Sequence, residues 1–254
     1  MPAESNKINY HGLAEHAALF ARGLPILAYH KIAPRPHGVK WRSLYLKPSV
    51  FARQMSELAA AGYSTATLAA PRPTKGNSAR KFVLTFDDGY RNVLENTVPV
   101  LARHSFRAIQ FLVSSQIGGT NAWDVAEGEI PAPLMDREEV TAWLAAGHEI
   151  GAHTVSHERL TRLAPRLQAN ELRECKLRLE DIFGVPVQHL CYPYGDFDDA
   201  VAAAAAETGY VTACTLLGGV NLAATPSHVL RRIEARYPPR NLRALWRRLR
   251  RSLG

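Results

Sequence analysis

The chain has 254 residues, 46% hydrophobic and 21% charged, with 17 glycines and 16 prolines. This ordinary globular composition excludes a disordered, collagen-like or disulfide-scaffolded chain and leaves enough length for a sizeable core. The formal charge of +8 suggests a polyanion binder, yet nine arginines and one acid, Glu234, fall in residues 231–254, and residues 1–230 carry 22 basic and 22 acidic side chains.

Three cysteines, Cys175, Cys191 and Cys214, show no CxxC spacing, which argues against a zinc ribbon or a disulfide framework. The opening residues lack the apolar stretch of a signal peptide, and no apolar run approaches the roughly 18 residues of a membrane span. The expectation is a soluble, cytoplasmic protein.

In chain order, apolar runs expected as strands lie at 25–29 (PILAY), 82–86 (FVLTF), 108–113, 148–152 (HEIGA), 189–192, 210–216 and 229–233. Helical patterns over 48–61, 91–104, 137–146, 166–183 and 198–208 alternate with them. Apolar strands interleaved with helices of this length indicate parallel βα units buried on both faces. Seven units without a dinucleotide fingerprint favour a closed or distorted barrel in a single domain. Residues 118–133 form a longer irregular connection.

Chemistry in such a fold sits at the carboxyl ends of strands, and polar clusters follow the strand runs there. Thr85-Phe86-Asp87-Asp88-Gly89 follows FVLTF; its two adjacent carboxylates need a cation or a proton to relieve repulsion, or else they cap the next helix. His153-Thr154-Val155-Ser156-His157 follows HEIGA, and two imidazoles four residues apart converge if the segment makes a helical turn. With an aspartate they make a two-His, one-carboxylate set suited to a zinc-type ion with open positions. Tyr192-Pro193-Tyr194-Gly195 is a turn whose backbone N–H and phenols face the same end, where they can serve an oxyanion. His30 ends the first strand, placed as a general acid or base. Trp143 sits in a helical pattern and reads as core, whereas Trp123 in the 118–133 connection is the better sugar-stacking candidate.

TFDDG, HTVSH and YPYG, in that order and at these separations, resemble the NodB homology domain of the polysaccharide deacetylases, carbohydrate esterase family 4. The resemblance spans roughly residues 24–235. It implies a distorted (β/α)7 barrel and a metal-dependent hydrolase that removes N-acetyl groups from N-acetylhexosamines of a polysaccharide, oligosaccharide or glycolipid. By position it implies Asp87 as catalytic base, and Asp88, His153 and His157 as ligands of Zn²⁺, with Co²⁺, Ni²⁺ or Fe²⁺ as substitutes. It further implies the Tyr194 backbone N–H at the oxyanion; Tyr192, Pro193 and Trp123 are expected as substrate-binding residues. An O-acetyl esterase, a non-sugar amide hydrolase and a non-catalytic carbohydrate-binding relative share the fold.

Three departures stand out, one being that the family's Asp- and Trp-containing fourth motif has no convincing match. The arginine that many members carry two residues before the motif's proline is replaced by Cys191, leaving Arg231 or Arg232 as candidates for its place. The late histidine that normally supplies the acid is missing. The YHKI segment resembles the poly-N-acetylglucosamine deacetylase branch, which points to His30 as the acid, with His228 behind it.

The division expected is an N-terminal extension over 1–23, a catalytic domain over 24–239 and a basic amphipathic helix over 240–254. Leu242, Leu245, Trp246, Leu249 and Leu253 share one face of that last segment. It suits packing on the barrel, or peripheral contact with an anionic membrane. No nucleic-acid module accompanies it, so the expected partner is an acetylated glycan.

Overall fold

Seven of the strands in the computed structural model, which describes residues 7–236, run parallel and close on themselves. They are β1 (Leu24–Tyr29), β2 (Lys81–Phe86), β3 (Ile109–Leu112), β4 (Glu149–Ala152), β5 (His189–Cys191), β6 (Thr212–Gly218) and β7 (Leu230–Ala235). Each pairs with the next in sequence, and β7 returns to β1 through Ile233 opposite Leu27 and Glu234 opposite Ala28. The register slips between Cys214 and Gly218, where β6 meets β7. A slip of this kind bends the strands and distorts the barrel.

The helices are α1 (Leu13–Phe20), α2 (Pro48–Ala60), α3 (Arg91–Arg103), α4 (Ala122–Ala126), α5 (Arg137–Ala145), α6 (Pro165–Phe183) and α7 (Asp199–Glu207). Their starts follow local chemistry. Pro48 and Pro165 occupy first turns, where no backbone N–H is needed. Asp136 and Glu139 form a reciprocal capping box at α5, and the Asp198 carboxylate accepts from the Val201 N–H at α7.

Alternation along the strands builds two layers of core. Leu27, Tyr29, Phe82, Leu84, Phe86 and Ile233 face outward and pack under the helices. Ile26, Val83, Phe111, Cys191, Cys214 and Leu230 fill the barrel interior. Trp143 belongs to the outer layer, fully buried, with its indole N–H donated to the Glu149 carbonyl at 2.7 Å.

Residues 9–20, expected to precede the domain, are part of it. Asn9–Tyr10 pairs parallel with β7, and Tyr10 and Phe20 are fully buried. The 118–133 connection contains α4. The amphipathic segment 240–254 lies outside the described residues. Among the described residues, no helix is long and apolar enough to cross a membrane.

Candidate active site

All the polar clusters meet at the carboxyl ends of the strands. Asp87 leaves β2 with its N–H donated to the Tyr29 carbonyl at 2.9 Å. Asp88 then adopts left-handed backbone (φ 75°), followed by Gly89 at φ 87°. This reversal sends two neighbouring carboxylates in different directions. Neither caps the next helix, because Tyr90 holds that position without a side-chain bond. Left-handed backbone is costly for residues with a Cβ. Among the described residues six non-glycines adopt it, and four of them (Asp88, Thr154, His157 and Tyr194) are in this site.

Asp88 Oδ1 lies 3.3 Å from His153 Nε2 and 3.4 Å from His157 Nε2. All three side chains are buried, and their donor atoms lie within 4.8 Å of one another. The two imidazoles do not converge through a helical turn, as the spacing suggested. The segment is a loop in which Thr154 (φ 65°) and His157 (φ 64°) reverse the chain.

The donor set fits a zinc-type cation. Burial pushes the Asp88 carboxyl up, but hydrogen bonds from both histidines hold it well below the usual carboxylate range. Burial lowers His157 to about 4, so its imidazole is neutral. His153 Nδ1 lies 2.6 Å from the Cys191 carbonyl, an oxygen that can only accept. With its Nδ1 proton committed to that oxygen, His153 would turn Nε2 towards an ion held beside Asp88. A ligating histidine tied through its far nitrogen to a carbonyl is the usual support of a metal site. A second trio, Asp87, His153 and Cys191, is equally close. Burial pushes the Cys191 thiol up to about 11 despite Arg232, so sulfur there is not a thiolate ligand.

Asp87 is committed elsewhere. Arg232, fully buried on β7, grips it through Nη1–Oδ1 and Nη2–Oδ2, both 2.8 Å. Arg232 also donates to Cys191 Sγ at 3.1 Å, to Thr85 Oγ1 at 3.2 Å and to the Thr215 carbonyl at 2.9 Å. Burial alone would raise the Asp87 pKa; the guanidinium and then His30 hold it below the ordinary value. The guanidinium missing at position 191 thus arrives from the opposite strand, next to the cysteine. Of the two candidates it is Arg232, because period-two alternation puts residue 232 inside with Leu230 and leaves Arg231 exposed.

His30 is half-buried, with Nε2 3.7 Å from Asp87 Oδ2. His228 is not at the site: its Nε2 bonds the Tyr210 carbonyl at 2.7 Å, and it does not line the cavity.

These groups open on a cavity of about 430 Å³. Trp123 stacks on His157 with ring centroids 4.4 Å apart, and Tyr194 meets the same imidazole edge-on at 4.7 Å. Tyr194 is 39% exposed and lies under the Arg159 guanidinium. Tyr192 borders the cavity but is fully buried, its hydroxyl donated to the His228 carbonyl and its ring stacked on Phe197. Pro193 is buried and does not line the cavity. Of the two residues expected to touch substrate, Tyr192 lines the cavity and Pro193 belongs to the turn that presents Tyr194. Sequence reasoning passed over Asp124, a buried carboxyl at the cavity wall that accepts from the Tyr90 hydroxyl at 3.2 Å. Its place beside Trp123, in the connection singled out as irregular, was the available signal.

Comparison with known proteins agrees with this arrangement. The family model for polysaccharide deacetylase matches residues 74–213, more than half of the chain. The chain belongs to the polysaccharide deacetylase family. It is 27% identical over 194 residues to YxkH of Bacillus subtilis, a match covering 74% of this chain and 62% of that protein. It is 25% identical over 171 residues to the peptidoglycan-N-acetylglucosamine deacetylase PgdA of Listeria monocytogenes, covering 67% of this chain and 31% of PgdA. The chain therefore spans less than two thirds of these curated relatives. Among solved structures, the Streptococcus pyogenes deacetylase PplD superposes with a TM-score of 0.70 at 20% identity, covering 89% of this chain and 97% of PplD. IcaB from Ammonifex degensii gives 0.69 at 21%, covering 88% and 95%. These likenesses establish the single-domain α/β fold with its closed seven-stranded parallel barrel.

Proposed function

We propose that this polysaccharide deacetylase family member is a metal-dependent hydrolase that removes N-acetyl groups from N-acetylhexosamine residues of a glycan. The observation that carries this reading is the meeting, in one cavity, of two separately supported groups: the Asp88–His153–His157 trio and the Asp87 carboxylate held ionised by Arg232. The name of PgdA, a deacetylase of N-acetylglucosamine in peptidoglycan, supports the substrate class.

Asp88, His153 and His157 would hold the ion, with zinc the best match to the donors. Bound there, it supplies Lewis acidity to the acetyl carbonyl and lowers the pKa of water. The chain's own groups do the rest. Asp87, ionised because of Arg232, accepts the proton of the attacking water. The Tyr194 backbone N–H, on a turn fixed by its left-handed conformation, donates to the oxyanion; one such donor is typically worth about 10²–10³ in rate. His30, beside Asp87, serves as the acid that gives a proton to the departing amine. Trp123 and Tyr194 wall the cavity with aromatic surface suited to a sugar ring.

Acetate release from N-acetylglucosamine oligomers, O-acetylated sugars and N-acetylated non-sugar amines tests the reading. Oligomer hydrolysis should be lost on chelation, return with Zn²⁺, and fall about 10²–10⁴-fold in Asp87→Asn. Release indifferent to both treatments would sink the mechanism; faster release from O-acetyl substrates would move the assignment to an esterase.

A further inference from the structure

The two histidines of the trio are held in different ways. His153 follows a strand, with Nδ1 fixed by the Cys191 carbonyl. His157 has no such support, because its buried Nδ1 has no hydrogen-bond partner in the protein. Its ring stacks on Trp123 and meets Tyr194 edge-on, contacts that offer no directed bond. The place of its nitrogen therefore depends on the backbone that delivers it.

That backbone is neither helix nor strand, so each polar group needs a partner from outside a ladder. The Thr154 and Val155 carbonyls accept from the Ser114 and Ser115 N–H groups, each at 3.1 Å. The His157 N–H donates to Thr154 Oγ1 at 3.0 Å. The Val155 and Ser156 N–H groups both donate to Glu171 Oε2, at 2.8 and 3.0 Å, and the Ser156 hydroxyl donates to Glu171 Oε1 at 2.7 Å. Glu171 stands on α6 and does not line the cavity. It accepts three bonds from the two residues between Thr154 and His157, the pair held left-handed. Left-handed backbone at a β-branched threonine is unfavourable, and the carboxylate is one of the groups that hold the segment against relaxation.

We infer that Glu171 is the positioning residue for the metal trio, substituting through the loop backbone for the direct support that His157 Nδ1 lacks. The inference rests on the metal reading of the trio given above. Removing the carboxylate frees the loop and lets His157 Nε2 leave the point it shares with Asp88 and His153, while His153 stays fixed.

The test is Zn²⁺ affinity of the metal-free full chain by chelator competition, read beside its thermal midpoint. Glu171→Ala should weaken Zn²⁺ binding about 10–100-fold, as loss of an outer-shell partner typically does. Glu171→Gln keeps a carbonyl for the two N–H groups and an amide for the hydroxyl, and should recover most of that loss. Glu171→Asp keeps the charge but is too short to reach, and should bind weakly. A lower midpoint with a wild-type Zn²⁺ affinity in Glu171→Ala overturns the inference by reducing Glu171 to a stabilising contact. Should the alanine variant fail to fold, the other two decide: Gln tighter than Asp supports the proposal, and equal affinities overturn it. A wild-type chain that binds no stoichiometric Zn²⁺ overturns the metal reading as well, whereas tight wild-type binding with indifferent variants overturns only the role of Glu171.

Discussion

Adjacent carboxylates repel, and Asp87 and Asp88 are kept ionised at 2% and 4% exposure by different partners, a guanidinium for one and two imidazoles for the other. The Arg232–Asp87 pair is fully desolvated, so removing one member leaves an uncompensated charge. Arg232→Met should cost about 3–5 kcal/mol in urea unfolding at neutral pH. Cys191 sits 3.7 Å from Asp87 Oδ2 and 3.1 Å from the guanidinium, so Cys191→Arg on the Arg232→Met background should recover part of the loss. No recovery would show that position 191 cannot deliver a guanidinium to Asp87. At this scale the aspartates and histidines were legible because each sits in a motif of five residues. Arg232 was legible only as one of two, since its partner is 145 residues away. Tyr192 and Tyr194 flank the same proline and both line the cavity, but only Tyr194 is exposed.

Elements were more legible than the loops between them. All seven barrel strands and five of the helices stand within two or three residues of the expected spans, because apolar runs and caps are local signals. The helix α1 and the pairing of Asn9–Tyr10 with β7 went unseen. A two-residue strand has no period, and α1 buries only His16 and Phe20. Whether the His153–His157 segment makes a helical turn was left open by the spacing, which does not reveal that Glu171 on α6 accepts from its N–H groups. Strand β4, which leads into it, has a tight point of its own. A Cβ at Gly151 would meet the Phe111 ring at 2.6 Å and the His189 carbonyl oxygen at 2.9 Å, both on neighbouring strands. Gly151→Ala should therefore destabilise the protein by about 1–3 kcal/mol in urea unfolding. A change below about 0.5 kcal/mol would mean that the barrel wall yields there.

Across the whole molecule, the barrel separates chemistry from a second set of buried groups. The site occupies the carboxyl ends of the strands, while His148 precedes β4 and His189 opens β5 at the other end. Burial lowers both to about 4, helped by Arg107 and Lys176 respectively. Unfolded, each returns to about 6.5. The unfolded chain then binds more protons between those values, so these histidines leave stability intact above about 6.5 and erode it as pH falls towards 4. The slope is up to about 1.4 kcal/mol per pH unit for each. Urea midpoints at pH 7, 6 and 5 should fall less steeply for the His148→Gln, His189→Gln double variant than for wild type; equal slopes would refute this account. By itself the sequence determined the βα alternation, the neutral body with its arginine-rich end, and the motif residues, because each depends on neighbours within a few positions. The tertiary structure decided that Arg232 and not Arg231 meets Asp87, that His30 and not His228 stands beside it, and that residues 9–20 belong to the fold. Those choices follow from closing β7 onto β1. Closure sets the first and last barrel strands side by side, and no local pattern encodes which side chains then face each other.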